Sequence, residues 1–210
     1  GTILFLHGNG QNMSYHIHTV WWLVNAGYAV FTFDYRGYGV STGEPSIKGV
    51  MDDSHTALDL LLSGNIPDVD DVIVLGQSMG GAIAIYTVAT TEHQDRISAL
   101  ITDSAFSSWR DIAREKAGDL FITWAFQYPV AWTINDDYAP RKFISEIDDT
   151  VNIMLIHNRK DPIIPYEHAE VLYKSSGKRA DLLITNYEGH VTAGKYNDTQ
   201  QKVINFLDIP

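Results

Sequence analysis

Cysteine is absent from this 210-residue chain, which removes disulfides, thiolate nucleophiles and Cys-based zinc sites from consideration. Basic residues are scarce as well. Only 15 Lys and Arg face 26 Asp and Glu, a net charge of −11, and a surface of that sign does not recruit the phosphate backbone of a nucleic acid. No apolar run reaches the roughly 20 residues that a spanning helix needs, and no signal-peptide pattern is visible. Much of the acid comes as tandem pairs (Asp52-Asp53, Asp70-Asp71, Asp136-Asp137, Asp148-Asp149), mostly at the ends of expected elements, where solvated surface or capping accounts for it. What remains is an ordinary globular composition in a length suited to one domain with a substantial core.

The chain is organised around residues 72–82. Val72-Ile73-Val74-Leu75 reads as a buried parallel strand. Gly76-Gln77-Ser78-Met79-Gly80 follows at once as a G-x-S-x-G, and Ala82-Ile83-Ala84-Ile85-Tyr86 begins a helix. Strand, sharp turn and helix are the setting of a nucleophile elbow, in which side chains at 76 and 80 would collide with their neighbours. Further strands are expected at 2–6, 28–33, 97–102, 151–156 and 181–185. Helices are expected at 13–25, with a stripe of Ile17, Val20, Trp21 and Val24, and after Ser46, with a stripe of Ile47, Val50, Met51, Leu58, Leu61 and Leu62 closed by Gly64. Another starts at Pro165 and stops at Gly177. The closing helix starts near Asp198, with Gln201 as capping-box partner. Such alternation predicts a parallel, doubly wound sheet whose site lies at the C-terminal strand ends. His7, Ser78, Asp161 and His190 all fall there.

One connection, 105–150, is too long for a plain crossover. Its centre, 120–134, is densely apolar, with Phe121, Trp124, Phe126 and Trp132 interrupted by Pro129. Helices packed on the sheet edge and a small lid lining an acyl pocket account for it equally well.

A serine hydroxyl needs an adjacent base, and that base needs an orienting carboxylate. Asp161 follows the 151–156 strand and His190 the 181–185 strand. Ser78…Asp161…His190 is a chain order found in one of the unrelated folds that carry this constellation. Asp103, one strand earlier, is the rival acid. Oxyanion charge calls for backbone N–H donors, for which Met79, at a helix start, and Asn9, after His7-Gly8, are the candidates. His16 and His18, two apart on a helix, diverge and do not form a chelating pair. Arg36 is expected to pair with Asp52 or Asp53, His157 to be a packed histidine, and Trp21 and Trp22 to be core and rim. No Gly-rich turn fits a phosphate-binding fingerprint, so no metal or nucleotide cofactor is implied.

These residues carry a resemblance. His7-Gly8-Asn9, Asp34-Tyr35-Arg36-Gly37-Tyr38-Gly39-Val40-Ser41, Gly76-Gln77-Ser78-Met79-Gly80-Gly81, Asp161-Pro162-Ile163-Ile164-Pro165 and Gly189-His190 resemble, in order and over nearly the whole chain, the α/β-hydrolases of the Bem46 and ABHD type. The resemblance implies Ser78 as nucleophile, Asp161 as acid, His190 as base, and Asn9 and Met79 as oxyanion donors; His7 is expected to shape the oxyanion loop rather than to act as a base. It also implies an α/β-hydrolase fold over 1–210, with helices on both faces of a mostly parallel sheet and a helical lid insertion at about 105–150. Two departures stand out. Asn158 occupies a position that usually holds glycine, and the strands that usually precede the first one are missing. A chain that begins inside a core strand predicts upstream sequence, including any targeting segment, and leaves the compartment open between cytoplasm and membrane.

The expected activity is cleavage of carboxylic esters or thioesters through an acyl-enzyme. The alternatives are a peptidase or amidase on the same frame and a non-catalytic lipid-binding module. The expected partner is a small-molecule or acylated substrate, with contact to a membrane surface through the apolar insertion or the upstream segment. Nothing in the residues speaks to oligomeric state.

Overall fold

The computed structural model describes residues 1–118 and 133–208. The apolar stretch 120–134 falls outside them except for Thr133 and Ile134. Six strands lie among the described residues: β1 (Thr2–Leu6), β2 (Ala29–Thr32), β3 (Val72–Gln77), β4 (Ile97–Asp103), β5 (Asn152–Lys160) and β6 (Asp181–Glu188). They form one sheet in the order β2-β1-β3-β4-β5-β6, parallel at every pairing. The central strands are continuous apolar runs because both of their faces are covered.

Alternation along each strand divides the core in two. Leu4, Leu6, Val72, Val74, Leu100 and Leu155 join one cluster. Ile3, Phe5, Ile73, Leu75, Ile101 and Ile156 join the other. The first cluster is capped by α3 (Ile47–Leu62), α4 (Met79–Thr90) and α7 (Glu167–Ser175), which contribute Met51, Leu58, Ile83, Ile85 and Leu172. The second is capped by α2 (Trp21–Asn25) and α8 (Asn197–Leu207), through Leu23, Val203 and Phe206. Each fully buried side chain of this size is worth about 1.5–3 kcal/mol. The chain leaves β1 toward β2 and returns to β3 on β1's other side. This is the topological switch point where doubly wound sheets place their sites.

Several ends differ from the expectation. The helix expected at 13–25 is broken into α1 (Met13–His16), a 3₁₀ turn (Ile17–Thr19) and α2. Thr19 Oγ1 lies 2.7 Å from the His16 carbonyl, to which it donates, and 2.7 Å from Gln77 Oε1, so the turn is tied to the strand before the elbow. The break rotates the stripe: Val20 and Leu23 are buried, while Trp21 and Val24 face solvent. Ser46 caps α3 as expected, its Oγ accepting the Gly49 N–H at 3.0 Å. The capping box at Asp198 does not form. Asp198 lies inside the first turn of α8, and its Oδ1 accepts the Tyr187 hydroxyl at 2.5 Å. Between β4 and β5 the described residues hold α5 (Trp109–Gly118) and α6 (Pro140–Phe143).

Candidate active site

The G-x-S-x-G closes β3 onto α4 with Ser78 at φ 55°, ψ −118°. A non-glycine residue stays in that region only when its surroundings hold it there. The flanking glycines make the turn possible. A Cβ at Gly76 would strike the Gly80 carbonyl, and one at Gly80 would strike the Leu6 carbonyl. The Ser78 N–H donates to the Asp103 carbonyl at 2.9 Å, which anchors the elbow to the end of β4. Met79 opens α4, so its N–H has no partner within the helix.

Asp161 follows β5, which runs four residues past the expected Ile156, so His157 and Asn158 are part of the strand. One carboxylate oxygen shapes its own loop, accepting the N–H groups of Ile163 at 2.8 Å and Ile164 at 3.0 Å. The other lies 2.7 Å from His190 Nδ1. Burial works to raise the Asp161 pKa, but hydrogen bonds from His190, Ile164 and Ile163 outweigh it, and the net shift is downward. An ionised carboxylate only accepts, so Nδ1 carries the proton and Nε2 is left basic. Beneath the pair His157 is buried, its Nε2 2.9 Å from the Ile164 carbonyl, and burial lowers its pKa. Asn158, where the resemblance would put glycine, donates from Nδ2 to the Gly189 carbonyl at 2.9 Å. It therefore joins the acid loop to the histidine loop.

Across the rim, the Tyr38 hydroxyl donates to Asn9 Oδ1 at 2.6 Å and lies 3.7 Å from Met79 Sδ. Asn9, Ser78 and Met79 line one cavity of about 420 Å³ with Phe106, Trp109 and Ile164. Trp109 belongs to α5, so the connection between β4 and β5 walls this space. His7 is fully buried below, its Nδ1 2.9 Å from the Gly8 carbonyl, and desolvation lowers its pKa. The Tyr35 hydroxyl donates to the His7 carbonyl at 3.1 Å, so His7 belongs to the floor of the Asn9 loop.

The structure thus brings Asp161 and His190 into direct contact and puts Asn9, Met79 and Ser78 on one cavity. Ser78 Oγ makes no hydrogen bond among the described residues. Asp103, the rival acid, accepts the Ala193 N–H at 3.0 Å through Oδ2, while Asp161 takes the ring nitrogen. Arg36 makes a two-pronged pair with Asp53, at 2.6 Å for its shortest contact, and Asp52 pairs with Lys48 instead. His16 stacks on His7 with centroids 5.1 Å apart. The partners that tie Tyr38, Asn158 and Ser104 into the site lie 29 or more positions away in loops and at a helix start, so no local pattern marks these residues.

Comparison with known proteins defines the class first. The fold is similar to that of the Pyrococcus furiosus esterase PF2001, with TM-score 0.78 and 21% identity, covering 98% of this chain and 81% of that one; this is the α/β-hydrolase fold. The family described as serine aminopeptidase, S33, matches residues 1–144, and that described as TAP-like protein matches 123–209. Protein bem46 of Schizosaccharomyces pombe is 43% identical over 180 residues, 84% of this chain and 56% of bem46. Lysophosphatidylserine lipase ABHD12 of Gallus gallus is 31% identical over 188 residues, 81% of this chain and 46% of that protein. The chain therefore belongs to the α/β-hydrolases, in the Bem46-like and ABHD family. It spans about half the length of these two relatives.

Proposed function

We propose that this chain is a serine hydrolase that cleaves carboxylic esters or thioesters of apolar acyl groups. The observation that carries the reading is the 2.7 Å contact between His190 Nδ1 and Asp161, at the same end of the sheet as Ser78 on its left-handed elbow. His190 Nε2 takes the Ser78 proton as Oγ attacks the acyl carbon, and the N–H groups of Asn9 and Met79 hold the oxyanion. The carbon–oxygen or carbon–sulfur bond then breaks, and the leaving group takes the proton from His190. Water, deprotonated by His190, attacks the acyl-enzyme, and Ser78 recovers its proton. Asp161 stays ionised throughout and stabilises the imidazolium.

The apolar lining contributed by Phe106, Trp109 and Ile164 supports an acyl substrate, as does the similarity to a lysophosphatidylserine lipase. In this reading the chain is a single domain in which the insertion at about 105–150 walls the acyl site through Phe106 and Trp109. Peptide cleavage is a second reading, supported by the serine aminopeptidase description of the matching family. A panel of p-nitrophenyl esters, acyl thioesters and aminoacyl-nitroanilides separates them. Esters or thioesters are expected to turn over and anilides not. A fluorophosphonate probe is expected to label the native chain and not Ser78→Ala. Equal labelling of the two would overturn the assignment.

A further inference from the structure

Between the elbow and the histidine loop lies a connection that the triad does not use. Asp103, the last residue of β4, is 2% exposed. Its carbonyl accepts the N–H of Ser78 at 2.9 Å, and its Oδ2 accepts the N–H of Ala193, three residues past His190, at 3.0 Å. Ser104, fully buried and at φ 61°, accepts the Val191 N–H at 3.3 Å and donates to Asp103 Oδ1 at 3.3 Å. Val191 itself is at φ 54°, where a β-branched residue remains only under restraint from its neighbours. The restraint is visible: the N–H groups of Val191 and Ala193 end on the Asp103-Ser104 corner.

We infer that Asp103, with Ser104 as its relay, is a positioning residue that sets His190 against Ser78. It does so by holding the residues after the histidine to the strand end that also anchors the serine. The inference rests on the Ser78, His190 and Asp161 reading above. Asp161 grips the imidazole at one nitrogen and Asn158 holds the Gly189 carbonyl on the near side of the histidine, and neither contact reaches the backbone after it. Among the described residues Ser78 Oγ supplies no hydrogen bond to correct its position. The Asp103-Ser104 corner does, and it joins the two halves of the site through one strand.

Burial is what chiefly raises the Asp103 pKa, to about 6, against hydrogen bonds and the charge of His190 that work to lower it. His190 is the ionisable side chain acting on Asp103, with Asp161 beyond it. Keeping an ionised group in so dry a place is unfavourable, and an apolar residue would pack there at less cost.

The test compares the native chain with Asp103→Ala, Asp103→Asn and Ser104→Ala on one p-nitrophenyl ester, with rates normalised to fluorophosphonate-titrated sites. A loop displaced by around an ångström costs about 10²-fold in rate. Asp103→Ala is expected to lose about that factor in kcat with KM little changed, and Ser104→Ala a smaller factor. Asp103→Asn keeps an acceptor for Ala193 and is expected to recover part of the rate. Because it removes the negative charge beside His190, the acid limb of its kcat/KM profile is expected at lower pH than in the native chain. A role in folding alone would lower the titrated sites and leave both the normalised kcat and the pH profile unmoved, and that result would overturn the inference. If Asp103→Ala does not fold, the Asn and Ser104 variants decide in the same way. Turnover that survives Ser78→Ala would instead remove the serine hydrolase reading, so the two failures are distinct.

Discussion

In the proposed mechanism Ser78, Asp161 and His190 divide the chemistry according to their surroundings. The serine is half-buried on a strained turn, the carboxylate is buried and accepts three hydrogen bonds, and the imidazole in contact with it is part-exposed. Removing the hydroxyl or the imidazole is expected to lower kcat by roughly 10⁴–10⁶-fold, and Asp161→Asn by about 10⁴-fold, because the amide favours the wrong tautomer. Steady-state kinetics against site titration measures both. Asp103 behaves in the opposite sense. Its folded pKa, about 6, lies above the ordinary 3.8, so the native state binds more protons than the unfolded one between those values. Stability therefore falls as pH rises through that window and stays lower above it. Asp103→Asn, a neutral isostere, is expected to be more stable than the native chain by roughly 2–3 kcal/mol at neutral pH, and yet slower. Thermal melts above and below the window check the sign: the advantage should vanish in acid.

The elements show what each backbone segment is required to do. The β3–α4 elbow tolerates no side chain at Gly80, whose Cβ would meet the Leu6 carbonyl of β1. Gly80→Ala is expected to cost at least about 2 kcal/mol through overpacking and to lose the labelled serine, as denaturant titration and probe labelling would show. Helix α5 walls the cavity through Trp109, whose indole N–H donates to the Tyr138 carbonyl at 3.1 Å and whose ring meets Phe106 at 4.8 Å. Trp109→Ala opens that wall. It is expected to shift the acyl-length optimum upward, with kcat/KM for the native optimum falling about tenfold, as a p-nitrophenyl ester series would show. The broken helix at the start of the chain was illegible in periodicity. Its stripe fits an unbroken helix, and only the reach of Thr19 to Gln77 on β3 gives the turn a partner that favours the break.

Across the protein, the same contacts set the response to acid. Asp161, Asp53 and Asp111 all have folded pKa values lowered from 3.8. In each case burial opposes the shift, and hydrogen bonds from His190, Arg36 and Arg141 respectively outweigh it. Such groups contribute stability that is fully present above their unfolded value and is lost as pH falls through the lowered folded one. The midpoint of urea unfolding is expected to be flat above pH 3.8 on their account and to drop below it. Asp161→Asn should shallow that drop more than Asp53→Asn, because the Asp161 side chain is 0% exposed and that of Asp53 19%.

Local sequence was sufficient for the strand pattern, the elbow and the parallel order. Apolar runs, glycine spacing and strand–helix alternation are short-range signals, and each restricts the backbone where it stands. That Asp161 rather than Asp103 meets the imidazole was not a local matter. Both carboxylates end parallel strands on the same rim, and the choice depended on how far β5 and β6 run before they turn. The same holds for Asn158 bridging to Gly189 and for the Asp103-Ser104 corner holding residues 191–193. Hydrogen bonds between residues 31 and 90 positions apart leave no periodic trace, and they come into being only when packing of the sheet sets those strand ends side by side.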